Sequence, residues 1–386
     1  MMVGGTMQDA TAKLAPFDLR YQYISGGFFD GSSPCASCAT NCTTNSGAKS
    51  CASSGSGCGW WGCWQYDQDP PGAYARGFVT TCGGQSPPQV PMFTYYEILQ
   101  ASGVQEGAAE VTQAATNASL MTRYFADWRF LLQQIGQSAA LLHIEPDFWG
   151  YAEQHGADPT AMPAAVASAN ATDCGSLPNT IAGMGKCMIA MVRKYAPHAL
   201  VGLHASAWGT NMDVAGNTNP SFDVAAEANK LATFLAACGE TDADLVVVET
   251  SDRDAGYYQT QKNRNTWWDA TNATLPDFHQ DFAWVRALTE ALGKPALYWQ
   301  TPLGNMNMQN VFLKDSTGNI TGGQWKDNRV DYFFGHTSEL AGAHALGVAF
   351  GAGAGDQTSP ETDGGNFVAK AKSYFAQSAG GQPLCL

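Results

Sequence analysis

A single (β/α) TIM-like barrel is the fold class that the sequence predicts, on three observations. Short apolar strands alternate with longer helical patterns along almost all of the 386 residues, which is the signature of parallel α/β architecture. The first clear strand leads through Ile24-Ser25-Gly26-Gly27 into no G-x-G-x-x-G turn, the phosphate turn that usually marks the rival, an open doubly wound sheet. Polar and aromatic residues gather after nearly every strand, and only a barrel brings all those strand ends into one mouth. Barrels often use about 250 residues or more as one domain. Residues 1–386 are therefore read as one barrel domain, carrying an insertion over 31–82.

Taken in order, Tyr21 to Gly27 is the first expected strand and Val90 to Ile98 the second, with the insertion between them. A helix is expected over Ser119 to Gln134, where Leu120, Tyr124, Trp128 and Leu131 recur at helical spacing. The strand Ala140 to Ile144 follows. Helices Ile181 to Tyr195, Val224 to Ala237 and Asp281 to Leu292 then lead into strands Ala199 to Leu203, Asp244 to Val248 and Pro295 to Trp299. A helix over Tyr332 to Ala341, a strand over Gly347 to Phe350 and a closing helix over Phe367 to Gln377 complete the pattern. Seven strands are visible in this scheme, so a distorted, seven-stranded barrel is one expectation.

Composition narrows the partners. A net charge of -14 argues against nucleic acid, whose binding needs Lys and Arg to neutralise phosphates. Charged residues make up only 14% of the chain, while Trp and Tyr number 11 and 14, a balance suited to an exported protein acting on a neutral substrate. No apolar run approaches a membrane span, and the start MMVGGTMQDATAK lacks the apolar core of a signal peptide, so secretion would require a leader already removed. A monomer without membrane or nucleic-acid partners is expected.

Seven of the 11 cysteines fall between Cys35 and Cys82 in a stretch of Ser, Gly, Ala and Thr without a core-forming pattern. Disulfides that hold a long loop together are the expected role, with Cys385 as a candidate tether to the body. Cys35-x2-Cys38 with Cys42, Cys51, Cys58 and Cys63 could instead hold zinc or iron-sulfur, but one C-x2-C interval and no histidine make that the lesser reading. Five N-x-[ST] sequons, at Asn41, Asn117, Asn170, Asn272 and Asn319, are glycan acceptors in a eukaryotic secretory route.

The segment LLHIEPDFWGY, Leu141 to Tyr151, concentrates the chemistry. An apolar strand runs into Glu145 and Asp147 and then into Phe148, Trp149 and Tyr151. Glycosidic hydrolysis needs carboxyl groups that exchange protons beside flat apolar surfaces on which a sugar ring can lie. Alternation along an extended strand would place His143, Glu145 and Asp147 on one side. The bland alternative makes Glu145 a structural acceptor and Asp147 a cap. Other strand ends supply Glu249 and Asp252, with Asp252 or Asp254 alternatively a salt-bridge partner of Arg253. Asp356 follows the glycines of 351–355, Tyr95 and Glu97 follow the second strand, and Trp299 and Gln300 follow the sixth. Trp149, Trp208 and Trp299 each fall just past a strand, where an exposed indole suits a pyranose face. Trp60, Trp61 and Trp64 could roof the same cleft, as could Trp267 and Trp268, which are alternatively core under a loop. His204 is a candidate for a sugar hydroxyl, or else a satisfied core residue. A metal site from His143, Glu145, Asp147 and His204 lacks H-x-H or H-E-x-x-H spacing. No metal or cofactor is expected.

Ile144-Glu145-Pro146-Asp147 resembles the I-E-P-D segment of glycoside hydrolase family 6, the cellobiohydrolases and endoglucanases built on a distorted seven-stranded barrel. Gly202 to Trp208, GLHASAW, is similar to that family's D-A-G-H-A-G-W strand end, and GAGDQTS, Gly353 to Ser359, to its G-G-E-C-D-G-T-S loop. The resemblance implies Asp147 as general acid, Trp208 as a sugar platform and Asp356 as a candidate base. The family's R-D-C aspartate has no clear counterpart here beyond Glu97, and the Asp before its histidine is absent. The expectation is a glycoside hydrolase that cleaves a neutral polysaccharide, a β-linked glucan such as cellulose foremost, with inversion. Its rivals are a noncatalytic carbohydrate-binding protein on a degenerate barrel and a metal-dependent polysaccharide hydrolase.

Overall fold

A computed structural model describes residues 1–26, 28, 42–45, 48–51 and 72–377. Eight parallel strands close into a barrel in sequence order: β1 Met2–Gly5, β2 Leu19–Ile24, β3 Val90–Tyr95, β4 Ala140–Ile144, β5 Ala199–Ala205, β6 Val246–Glu249, β7 Ala296–Thr301 and β8 Ala345–Phe350. Each strand pairs with the next, and β1 closes the ring onto β8, with Val3 opposite Val348. The outer layer includes α1 Ala118–Ile135, α2 Phe148–His155, α3 Ile181–Tyr195, α4 Val224–Ala237, α5 Phe278–Leu292 and α6 Asn366–Gln377.

The barrel therefore has eight strands rather than seven. The missing one is β1, whose four residues include Gly4 and Gly5. Glycine is depleted in strands because it packs nothing and loses most entropy on ordering, so this segment carries no strand signal. Its glycines have a structural reason: a Cβ on Gly4 would sit 2.0 Å from the Leu19 carbonyl oxygen of β2. The other expected strands and helices are present in the expected order, with ends moved by a few residues. Elements that were not expected include the helix Ala73–Gly83, which buries Tyr74, Phe78 and Cys82 at the end of the segment read as insertion, and the antiparallel hairpin Val311–Lys314 with Ile320–Gln324. The helix expected over 332–341 is divided at His336 into Arg329–Gly335 and Thr337–Gly342.

Two apolar layers follow from the alternation of the strands. Leu19, Met92, Leu141, Leu245, Val247, Leu297 and Ala349 point inward and fill the barrel, joined near its mouth by Tyr21 and Trp299. The outward residues, among them Phe93, Leu142, Ile144, Val201, Leu203, Val246 and Val248, pack beneath the helices against Trp128, Met188, Leu231 and Trp284. Side-chain caps fix several helix starts: Asn117 accepts from Leu120 N, Thr180 from Gly183 N, Asp223 from Ala226 N and Asp277 from Gln280 N. Asn170 caps the short helix Ala171–Cys174 and is itself buried, with Nδ2 turned to Asp173, so it is unsuited to carry a glycan.

Cys174 and Cys187 form a disulfide that joins this short helix to α3. Cys82 has a free, buried thiol, which removes it from the expected cross-links. In the insertion, the backbone of Cys42–Asn45 pairs antiparallel with Ala48–Cys51. The expected roles of Cys35, Cys38, Cys58, Cys63, Cys385, Trp60, Trp61 and Trp64 fall outside the described residues, as do the side chains of Cys42 and Cys51.

Candidate active site

The carboxyl ends of the strands surround a cleft of about 710 Å³, lined by Tyr23, Glu106, Asp147, Tyr151, Trp208, Glu249, Asp252, Trp299 and Gln300 among others. Asp147 and Glu249 are its centre. An oxygen of each, together with a ring nitrogen of His204, lie within 4.8 Å of one another.

The backbone after β4 puts Asp147 there. Glu145 and Asp147 both have positive φ, 47° and 69°, a region costly for residues with a Cβ. Alternation therefore does not continue past Ile144. Glu145 swings away from the cleft, is fully buried, and accepts the backbone N–H of Glu97 and Ile98, each at 3.2 Å. It latches onto the start of the helix Ile98–Ser102 and does not line the cleft. Burial drives its carboxyl up to about 8, against the opposing effect of those N–H groups. Asp147, one turn further on, faces the cleft at the start of α2.

Aromatic groups divide in the same way. Trp149 is buried, and its Nε1 donates to the Ile144 carbonyl at 2.9 Å, so it is core rather than platform. Tyr151 and Trp208 do line the cleft, with ring centroids 4.8 Å apart. Gly150 makes their approach possible, because a Cβ there would meet Ser206 Oγ at 2.7 Å and the Trp208 ring at 2.8 Å. Trp299 forms the floor, its ring centroid 4.7 Å from His143 and 5.7 Å from both Tyr23 and His204. Trp268 lines the cleft wall, while Trp267 points outward and donates to Gln259.

Tyr95 and Glu97 are not in the cleft. Tyr95 donates to Asp127 at 2.9 Å inside the core, and Glu97 is buried, its carboxyl pushed up by burial and by the charges of Asp127 and Glu145. Asp356 stands outside the cleft lining; its Oδ1 accepts from Gln357 Nε2 and its carbonyl from Trp325 Nε1. Asp252 does line the cleft, accepting from Arg253 and from the Tyr258 hydroxyl. Asp254 is buried in a structural role, receiving the N–H of Gly304 and Thr358. Gln300, at a φ of 54°, accepts from the Tyr23 hydroxyl across the mouth.

Sequence reasoning missed Tyr23 and Glu106. Tyr23 was legible as the inward residue two past Tyr21 near the end of β2; Glu106, in a loop, carried no signal. It accepts the Tyr151 hydroxyl at 2.8 Å and faces Asp147.

Burial pushes the Asp147 carboxyl up to about 7, helped by the negative charges of Glu106 and Asp252. Glu249 is also raised, by burial first and then by Asp147, Asp252 and Asp213, while a hydrogen bond from Trp208 opposes the rise. Two recessed carboxyls this close hold one proton between them near neutral pH. Asp147, His204 and Glu249 are also the one group among the described residues that could hold a metal ion; Glu145 and His143 of the expected set are not in it. The cations of the lining are already matched: Arg253 to Asp252, Arg264 to Asp213 and Arg329 to Asp327.

No protein-family model matches the chain, and no curated protein matches it. Among solved structures, it is similar to the endoglucanase Cel6 of Mycobacterium tuberculosis, at 12% identity over 58% of this chain and 55% of that one, with a TM-score of 0.29. It is also similar to the catalytic core of the cellobiohydrolase Cel6A of Chaetomium thermophilum, at 17% identity over 65% and 61%, with a TM-score of 0.32. An agarase matches at 10% identity over 79% of this chain and 46% of that one, with a TM-score of 0.42. The chain spans about half to three fifths of these proteins, and likeness this distant carries no conclusion about chemistry. The resemblance to glycoside hydrolase family 6 read from Ile144 to Asp147 is thus met again, as a distant one, among solved structures.

Proposed function

We propose that the protein is a secreted glycoside hydrolase acting on a neutral polysaccharide, a β-linked glucan foremost, with retention of configuration. The observation that carries this reading is the Asp147–Glu249 pair, two carboxyls with oxygens within 4.8 Å beneath the Tyr151–Trp208 platform. Retaining pairs stand about 5–5.5 Å apart, whereas an inverting pair leaves about 6.5–9.5 Å for a water. The expectation of inversion through Asp356 is given up, since that residue stands outside the cleft lining.

In this reading Asp147 gives its proton to the glycosidic oxygen as that bond to the anomeric carbon breaks, and a Glu249 oxygen bonds to the carbon. Water then attacks the glycosyl ester, losing a proton to Asp147 and freeing Glu249. Burial and the neighbouring carboxylates hold Glu249 well above the usual range as well, and this reading assigns the shared proton to Asp147 because Ile144 to Asp147 resembles the I-E-P-D segment whose aspartate is the general acid. A neutral substrate fits the pairing of every lining arginine with a carboxylate, because among the described residues no lining cation is left to recognise an anionic sugar. The Cys174–Cys187 bridge supports an oxidising compartment.

The test is a panel of defined polysaccharides with product anomers followed by NMR. The β-anomer should appear first from a β-glucan, and Asp147→Asn and Glu249→Gln should each lower turnover at least about 10²-fold with the fold intact. First appearance of the α-anomer would overturn retention, and full activity of Asp147→Asn would remove it as the acid. The metal-dependent alternative, supported by the grouping of Asp147, His204 and Glu249, instead requires loss of activity with chelator.

A further inference from the structure

Three buried side chains below the carboxyl pair take no part in the steps above. Thr94, His143 and His204 all have no exposed surface. Thr94 Oγ1 lies 3.2 Å from His143 Nδ1, and His143 Nε2 lies 3.0 Å from His204 Nδ1. The remaining nitrogen, His204 Nε2, has no hydrogen-bond partner, although the ring belongs to the group with Asp147 and Glu249.

The direction of this chain follows from counting protons. Burial holds His204 down to about 3 and His143 well below the usual histidine value, so both rings are neutral at ordinary pH. A neutral imidazole has one N–H and one lone pair. Two arrangements are then consistent along the chain: either every proton points toward the cleft, or every proton points away from it. In the second, His204 would present a lone pair suited to a metal. Thr94 decides between them. Among the described residues its hydroxyl oxygen has no partner except His143 Nδ1, so accepting from His143 would leave the hydroxyl hydrogen buried and unpaired. Thr94 therefore donates to His143 Nδ1, His143 Nε2–H donates to His204 Nδ1, and His204 Nε2–H is left as a buried, unpaired donor in the group with Asp147 and Glu249.

We propose that His204 donates this hydrogen bond to a substrate hydroxyl held between Asp147 and Glu249, with Thr94 and His143 as positioning residues that fix its direction. The substrate part rests on the retaining-hydrolase reading. A carboxylate attacking the anomeric carbon lies next to the hydroxyl on the neighbouring carbon. That hydroxyl can accept from His204 while donating to Glu249, a contact that tightens in the transition state. The structure thus assigns the cleft to sugars with a free hydroxyl at that carbon.

The direction can be read without substrate, by long-range ¹H–¹⁵N spectra of the full chain with ¹⁵N-labelled histidine. Both rings should show the Nε2–H form in the wild type and in Thr94→Ser, and Thr94→Val should mix the forms of His143. An Nδ1–H form of His204, or coordination of added Zn²⁺ at its Nε2, would overturn the proposal. Kinetics on aryl β-glycosides supply the second arm. His204→Phe should lower kcat/KM at least about tenfold on the parent sugar and much less on its 2-deoxy analogue, and His204→Gln should recover most of the loss. Equal losses on the two sugars, or none in a folded variant, would overturn the substrate assignment. If the wild type cleaves nothing, the hydrolase reading and the substrate contact fail together, and the spectra still decide the donor's direction.

Discussion

Asp147 owes its chemistry to where its neighbours sit. Burial supplies the largest part of its rise to about 7, and Glu106 and Asp252 add to it. A general acid works only while protonated, so activity should fall as pH rises through about 7, giving kcat/KM a basic limb there. Glu106→Gln and Asp252→Asn each remove a negative charge that favours the protonated form. Both should move that limb to lower pH, and a limb that stays in place in both variants would mean another group sets it. The sequence showed both Glu145 and Asp147 beside aromatic residues, and only the resemblance of Ile144 to Asp147 to an I-E-P-D segment favoured Asp147. What separates them is the left-handed backbone at both positions, which breaks the two-residue alternation of the strand. No neighbouring sequence forces that turn; the N–H groups of Glu97 and Ile98, which receive Glu145, come from the adjacent strand end.

At the scale of elements, the platform depends on how closely α2 approaches the end of β5. Gly150 allows it, since any Cβ would press on Ser206 and Trp208. Gly150→Val should displace Trp208, weaken both its stacking with Tyr151 and its hydrogen bond to Glu249, and lower kcat/KM by about tenfold or more. Fluorescence of the folded variant and its activity measured together will show whether loss of function precedes loss of fold; unchanged activity would refute this role. A second element-level expectation concerns the Cys174–Cys187 bridge, which closes a short loop across 13 positions. Cys187→Ala should lower the free energy of unfolding by about 2–3 kcal/mol in urea titrations. The helix spans were the most legible features, because their apolar spacing recurs over many turns; α3 and α4 fall where periodicity alone puts them. Strand β1 was illegible because two of its four residues are glycine.

Across the whole molecule, several carboxyls are buried with raised values: Glu145 to about 8, and Asp254 and Asp281 to about 7. Each keeps its proton in the folded state over a range where the unfolded chain has already lost it, from about pH 4 upward. Where the folded state binds more protons, stability falls with rising pH. Tm should therefore be higher at pH 5 than at pH 8, with the decline spread between about pH 4 and 8; a Tm that climbs over that interval would show these groups to be ionised in the fold. The opposite trend belongs to Asp173, held well below the usual range despite burial by Lys194, Arg129 and Tyr195, and it loses its contribution only in strong acid.

The sequence by itself determined the barrel and the acidic strand end at Asp147, because both are written in local patterns: alternating strand and helix periods, and a carboxylate beside aromatic residues. Tertiary structure alone decided which carboxyl stands beside it. Glu249 lies about a hundred positions away on β6, and only closure of the barrel brings its carboxyl within 4.8 Å of Asp147. The same closure sends Tyr95, Glu97 and Trp149 into the core and leaves Asp356 outside the cleft lining. A strand end shows that a residue is near the mouth of the barrel, but its facing depends on backbone turns and hydrogen bonds made with other strands.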